Sequence, residues 1–163
     1  MKIAHMEIIP VVLPKEDPEW RFALGGEAEA KAFIVKLVSD EGIFGIGYAA
    51  SATHHGISFG GVQAALEAYR DPLIGQDPFD IEKIFCILGR TLRGNNEAQA
   101  GIDMALHDLQ AKKLGVPLYA LLGGLFRTEI PVMRIVALKE PARMAENALK
   151  LTAEGYTYIK VKF

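Results

Sequence analysis

The chain has 163 residues, is 50% hydrophobic and 23% charged, and carries a formal net charge of −2. That balance supports a packed core rather than a disordered tail, and with Lys and Arg scattered it offers no basic surface for nucleic acid. No stretch reaches the roughly 20 apolar residues of a membrane helix, the first residues read without a secretory signal, and Cys86 stands alone, so an internal disulfide or a multi-cysteine zinc site is excluded. The expectation is a cytoplasmic globular protein with neither a nucleic-acid nor a membrane partner.

Residues 3–13, rich in β-branched side chains, predict a first strand, and 32–38 and 43–48 predict two more. The Asp40-Glu41-Gly42 link between the last two marks a hairpin. Gly45-x-Gly47 lacks the third glycine and the following helix of a phosphate loop, so close backbone packing in a strand is expected there. Residues 15–30, with Trp20 and Phe22 among charged residues and glycines, form a connection too long for a simple hairpin and predict a mobile lid. A second loop, 51–58, holds His54 and His55. Adjacent side chains are expected to diverge and no third ligand has usable spacing, so metal binding is not expected. The loop is either polar and substrate-facing or simply solvated.

Helical spacing follows. It covers residues 61–69, closed by Asp71-Pro72, then a helix that Asp80 can cap, with Ile81, Ile84, Phe85 and Leu88 on one stripe. Cys86 lies in that second helix and is expected to be a buried small hydrophobe. The strongest signal runs over 97–114, where Ala98, Ile102, Ala105 and Leu109 recur, Leu106 widens the stripe and Gly115 stops the helix. Asp103 and His107, four apart, are expected to form a helix-surface or interdomain contact rather than act in catalysis.

After Gly123-Gly124 the pattern becomes strand (131–138), helix (141–153, with Met144, Ala148 and Leu151 on one side) and strand (156–163). A β-α-β unit implies parallel strands joined by a right-handed crossover. Two parallel strands cannot cover both of their faces, so the chain reads as opening a second domain that it does not complete. In the last strand Lys160 and Lys162 share one face while Ile159, Val161 and Phe163 share the other. Burying two ammonium groups without an anion is costly. The pair therefore reads either as an edge strand with solvated lysines or as a site that binds an anion and uses one lysine as a base.

The segment Ala-Gly-Ile-Asp-Met-Ala-Leu-His-Asp-Leu at 100–109, the Leu121-Leu122-Gly123-Gly124 run and the closing β-α-β with its Lys-x-Lys together resemble the enolase superfamily, in its mandelate racemase and muconate lactonizing enzyme branch. The resemblance implies that residues 1–124 form an α+β capping domain, an antiparallel three-stranded sheet plus a helical bundle. It implies that residues 125–163 form the first β-α-β of an incomplete modified (β/α)8 barrel. The implied chemistry is removal of the proton α to a carboxylate by a racemase or epimerase, a cycloisomerase or an acid-sugar dehydratase, with Mg²⁺ holding that carboxylate in the complete enzyme. Lys162 matches the family's general base or acid, and Lys160 the lysine that stabilises negative charge on the substrate. An ammonium at Lys160 disfavours a second charge at Lys162, the direction a base requires. Trp20, Phe22, His54 and His55 match the two capping-domain loops that select substrate.

The family's metal-binding carboxylates lie on later barrel strands. The chain alone is therefore expected to bind no Mg²⁺ specifically and to exchange no α-proton, its partners being a small-molecule carboxylate and the C-terminal barrel half of a homo-oligomeric enzyme. One departure concerns Tyr48-Ala49-Ala50, which stands where many relatives carry a Glu after Gly-x-Gly. The contrasting reading is a catalytically inert capping-domain fragment that acts only in association.

Overall fold

Strand β1 (Ile3–Pro14) leads through a small ribbon, β2 (Arg21–Phe22) and β3 (Gly25–Gly26), into β4 (Glu29–Ser39) and β5 (Phe44–Ala50). Helices α1 (Phe59–Leu73), α2 (Ile81–Thr91), α3 (Asn96–Leu114) and α4 (Leu118–Leu121) follow, then β6 (Met133–Val136), α5 (Pro141–Ala153) and β7 (Tyr158–Val161). The computed structural model describes residues 1–26 and 28–163. They divide into two units, Met1–Val12 with Lys31–Leu125 and Leu13–Ala30 with Phe126–Phe163.

The first unit is a three-stranded sheet of order β1-β4-β5 with β4 and β5 antiparallel, as the period-2 pattern predicts. Its register explains how a helix can lie on it. Phe33 pairs with Ala49, Val35 with Gly47 and Leu37 with Gly45, so each large β4 side chain stands beside a small β5 residue on the buried face. The result is a trough along β5, and α3 fills it with its own small residues: Gly101 and Ala105 are fully buried there. A Cβ at position 45 would run into the Ala105 carbonyl and sit 2.6 Å from the Leu109 nitrogen. One at position 47 would run into the Gly101 carbonyl and sit 2.9 Å from the Ala105 nitrogen. The expected close packing at Gly45-x-Gly47 is thus strand against helix backbone, which only residues without a Cβ permit.

Polar contacts fix the same seam. The Ile46 N–H donates to Asp108 Oδ2 at 2.8 Å, and Lys112 Nζ donates to both Asp108 Oδ2 (2.7 Å) and the Phe44 carbonyl (3.0 Å). These bonds satisfy backbone groups on the outer edge of β5 that no neighbouring strand pairs, and a charged edge resists pairing with another chain. Gly115, at φ 67°, caps α3 as expected, its N–H donating to the carbonyls of Ala111 and Lys112. The core gathers Ile3, Met6, Phe33, Val35 and Leu37 from the sheet with Leu66, Ile84, Leu88, Ile102 and Leu109 from the helices. Tyr69 is also buried there, and its hydroxyl donates to the Leu92 carbonyl at 2.7 Å.

Three local expectations are corrected. Helix α1 starts earlier than 61, because Ser58 caps it by accepting the Gly61 N–H at 3.0 Å, and it runs through Pro72 to Leu73. A proline in a last turn forfeits a single ladder bond, so it fails to stop the helix one residue earlier. Asp80 holds the N-cap position of α2 without a side-chain capping bond, pairing at 3.5 Å with Lys83 instead. Cys86 is exposed, not buried. It lies two residues from both Ile84 and Leu88, roughly 200° around the helix from that buried stripe.

The second unit contains the expected β-α-β. Strands β6 and β7 are parallel, with Ile135 beside Lys160 and Val136 beside Val161, and α5 spans the predicted residues. Val136, on the face opposite the lysines, is buried, as is Leu151 of α5. Among the described residues no helix is long and apolar enough to cross a membrane.

The trough yields a direct stability test. Gly47→Ala should lower the free energy of unfolding by about 2 kcal/mol or more, because overpacking against helix backbone leaves nothing flexible to move. Gly60→Ala in α1, where a Cβ meets nothing within 4 Å, should be neutral or slightly stabilising. Urea unfolding of the two variants checks both signs.

Candidate active site

The lysine strand and the first long loop meet within the second unit. The Lys162 N–H donates to the Val136 carbonyl at 3.0 Å, extending the β6–β7 ladder past Val161. That register sets Lys160 and Lys162 on the side of the ladder shared with Met133 and Ile135. Lys160 is exposed and Lys162 half-buried. The Lys162 ammonium lies over the Phe22 ring, 5.2 Å from its centroid, within range of a cation–π attraction. Phe22 packs in turn against Trp20, with ring centroids 5.5 Å apart, and Lys15 Nζ sits 4.2 Å above the Trp20 ring. Of the six candidate residues, Trp20, Phe22 and Lys162 therefore form one contact chain, and Lys160 stands beside it in solvent.

His54 and His55 belong to the first unit, in a 3-10 turn, Thr53–His55, closed by Gly56 at φ 77°. Their rings do not diverge as expected; the centroids are 4.2 Å apart. A 3-10 turn rotates the chain by about a third of a circle per residue, far less than the reversal between neighbours in a strand. Asp103 and His107 form the expected surface pair, Nδ1 lying 3.3 Å from Oδ1. Among the described residues no three His, Cys, Asp or Glu side chains gather in a way that could hold a metal ion. The described donors thus do not fit Mg²⁺, and no chemical step is assigned to one.

The loop's attachments escape the sequence reading. Lys139 Nζ lies 2.7 Å from Asp17 and 3.5 Å from Glu19, Arg143 lies 3.2 Å from Glu19, and Arg134 lies 2.8 Å from Glu16. The hydrogen bond from Lys139 holds the Asp17 carboxyl below its ordinary value, and the bond from Arg134 does the same for Glu16. Arg134, bonded to Glu16, is itself raised. The one available signal was the acidic Glu16-Asp17-x-Glu19 facing a basic Lys139 and Arg143 across about 120 residues, and spacing alone could not join them. A cleft of about 600 Å³ runs beside this cluster, lined by Lys15, Asp17, Trp20, Arg134, Lys139 and Lys150. Neither Lys160 nor Lys162 lines it.

A small antiparallel sheet under a glycine-seated helix, continued by a parallel β-α-β that ends in two lysines on one face, defines an α+β capping domain with the opening of an α/β unit. The chain belongs to the mandelate racemase / muconate lactonizing enzyme family, whose N-terminal domain model matches residues 5–123. The N-succinyl-L-Arg/Lys racemase of Bacillus cereus is 35% identical over 99% of this chain and 44% of its own length. The cis-3-hydroxy-L-proline dehydratase of Roseibium aggregatum is 32% identical over 99% of this chain and 45% of its own. The structure of a dipeptide epimerase from Enterococcus faecalis V583, complexed with Mg and L-Leu-L-Tyr, superposes with a TM-score of 0.95 at 29% identity, covering 100% of this chain and 46% of that one. The chain thus spans less than half the length of the relatives it matches. Those relatives are racemases, epimerases, dehydratases and cycloisomerases.

The depressed carboxylates give the loop a pH dependence of definite sign. A carboxylate whose folded-state value lies below its unfolded one contributes stability above the unfolded value and loses it as pH falls through the folded one. Starting from 4.5 for Glu16 and 3.8 for Asp17, the emission maximum of Trp20 should stay constant from neutral pH down to about pH 5 and shift red below about pH 4. Asp17→Asn should leave a shift already present at neutral pH.

Proposed function

We propose that this chain supplies the base and the substrate-selecting loops of an enzyme that removes the proton α to a carboxylate, for racemisation, epimerisation, elimination or ring closure in the cytoplasm. The single observation that carries the reading is the placement of the Lys162 ammonium against Phe22 and, through it, Trp20. It gives the candidate base a loop-borne aromatic wall, which a solvated edge lysine does not require. In this reading residues 1–124 are the capping domain and 125–163 the first β-α-β of a (β/α)8 barrel.

The roles follow from position. Lys162, half-buried against the Phe22 ring and on the face it shares with Lys160, accepts the α-proton. Lys160, two residues earlier on the same face, faces the substrate carboxylate. There it stabilises the enediolate more than the ground state, and only that difference accelerates the step. Trp20 and Phe22 exclude water and contact the substrate's side chain. The acyl-amino-acid and dipeptide names of the relatives support a substrate that is a small amino acid with an acylated nitrogen. The Mg found with the dipeptide in the epimerase structure supports Mg²⁺ as cofactor of the complete enzyme, where it would add positive charge beside the substrate carboxylate, held by residues other than the described ones.

Deuterium exchange from D₂O into the α-position of N-acyl amino acids and dipeptides, followed by proton NMR, tests the reading on the full product of the gene. Wild-type protein should exchange, and Lys162→Ala should slow exchange by about 10³-fold, the usual worth of a positioned general base. Exchange that survives Lys162→Ala would assign the base elsewhere, and no exchange by either protein would favour an association role.

A further inference from the structure

One withdrawn cation is not accounted for by this chemistry. The Lys139 side chain, just beyond β6, is only 10% exposed, with its ammonium against Asp17 and Glu19. Both carboxylates precede Trp20 in the loop. Immediately after it the backbones dock: the Leu138 N–H donates to the Arg21 carbonyl at 2.9 Å, and Arg21 Nε donates to the Leu138 carbonyl at 3.3 Å. Leu138 lies two residues past Val136, whose carbonyl accepts the Lys162 N–H. One end of β6 thus bonds both the loop and the lysine strand, and the next loop residue, Phe22, comes to lie over Lys162.

We propose that Lys139 is a positioning residue that, through Asp17 and Glu19, sets where Phe22 covers Lys162; the inference rests on reading Lys162 as the base. Apart from its tilted Trp20–Phe22 pair the loop has little packing of its own, with Leu24 77% exposed and the two residues of β3 both glycine. Its position therefore depends on the few bonds that hold it. Exposed ion pairs fix little, because water and salt compete for both partners. With the Lys139 side chain 10% exposed and Asp17 32% exposed, water competes less for this contact than for the loop's other ion pairs, which makes it the fixed point of the loop. Arg143 and Arg134 hold Glu19 and Glu16 from more exposed positions and add to the grip without replacing it.

The test needs no turnover, because Trp20 is the single tryptophan and reports the loop directly. Two quantities are read on the folded chain: acrylamide quenching of Trp20, and the acetylation rate of Lys162 relative to the exposed Lys160, measured by tandem mass spectrometry. In Lys139→Met the quenching constant should rise about twofold and the Lys162-to-Lys160 ratio about threefold, with the far-UV circular dichroism unchanged, as expected for local release of a loop. Lys139→Arg, which keeps the charge, should restore both towards wild type. Should Lys139→Met fail to fold, the double variant Asp17→Asn/Glu19→Gln should give the same two changes. A wild-type acetylation ratio in whichever folded variant lacks the pair overturns the proposal, whether or not quenching changes. Failure of the base assignment shows separately, in the deuterium exchange of Lys162→Ala.

Discussion

Everything in the first unit depends on a helix backbone lying directly against a strand backbone. With side chains at positions 45 and 47, α3 would have to stand off from β5, since a Cβ there meets the helix's own carbonyls. At the close distance the Asp108 carboxylate and the Lys112 ammonium reach the unpaired edge of β5 and satisfy its backbone groups. The large side chains of β4 gain the same closeness, because Phe33, Val35 and Leu37 project beside the small β5 residues towards the helix instead of meeting equally large neighbours. Packing, edge protection and the anchoring of the β4–β5 turn through Lys113 and Glu41 are therefore consequences of one steric omission.

The second unit is held in a different manner. Its parallel pair and α5 bury little beyond Val136, Ala137 and Leu151, and its loop is held by charge and by two bonds between Arg21 and the Leu138 backbone, one of them from the Arg21 side chain. Hydrophobic attraction is non-directional and tolerates sliding, whereas a carboxylate–ammonium contact at 2.7 Å fixes a distance. A loop that has to put an aromatic ring in one place over one lysine is better served by the second kind of force.

Much of this was legible in the residues, for identifiable reasons. The alternation of 32–38, the helical repeat of Ala98, Ile102, Ala105 and Leu109, and the strand-helix-strand pattern after Gly124 are periodic signals, and all three match the observed elements. Gly45-x-Gly47 was readable as a close approach, but not which helix approaches. The errors came where one local rule was applied without its neighbour. Cys86 was assigned by the apolar character of its segment, although its spacing from Ile84 and Leu88 already placed it on the far side. The two loop histidines were expected to diverge, but the 3-10 turn keeps their rings together. The roles of Lys160 and Lys162 came from the resemblance, because alternation alone favoured a solvated edge. The ionic contacts of the loop lay beyond reach for a simpler reason: like charges are interchangeable in a sequence, and only geometry selects which Lys meets which Asp.

The path of the backbone carries a further consequence. The chain leaves its first unit after Val12, contributes Leu13–Ala30 to the second, returns at Lys31 and departs again after Leu125. Neither unit is a contiguous stretch of gene. A crossover near codon 125, the natural seam for exchanging one front end with another, would carry the acidic loop away from the basic residues that hold it. A descendant with a new front end must then inherit a compatible carboxylate opposite residue 139 or rebuild the contact from both sides. Residues 17 and 139 are in this sense one heritable character written in two distant places. Diversification that leaves the loop seated is confined to point changes within it, around Trp20 and Phe22, rather than to wholesale replacement of the segment.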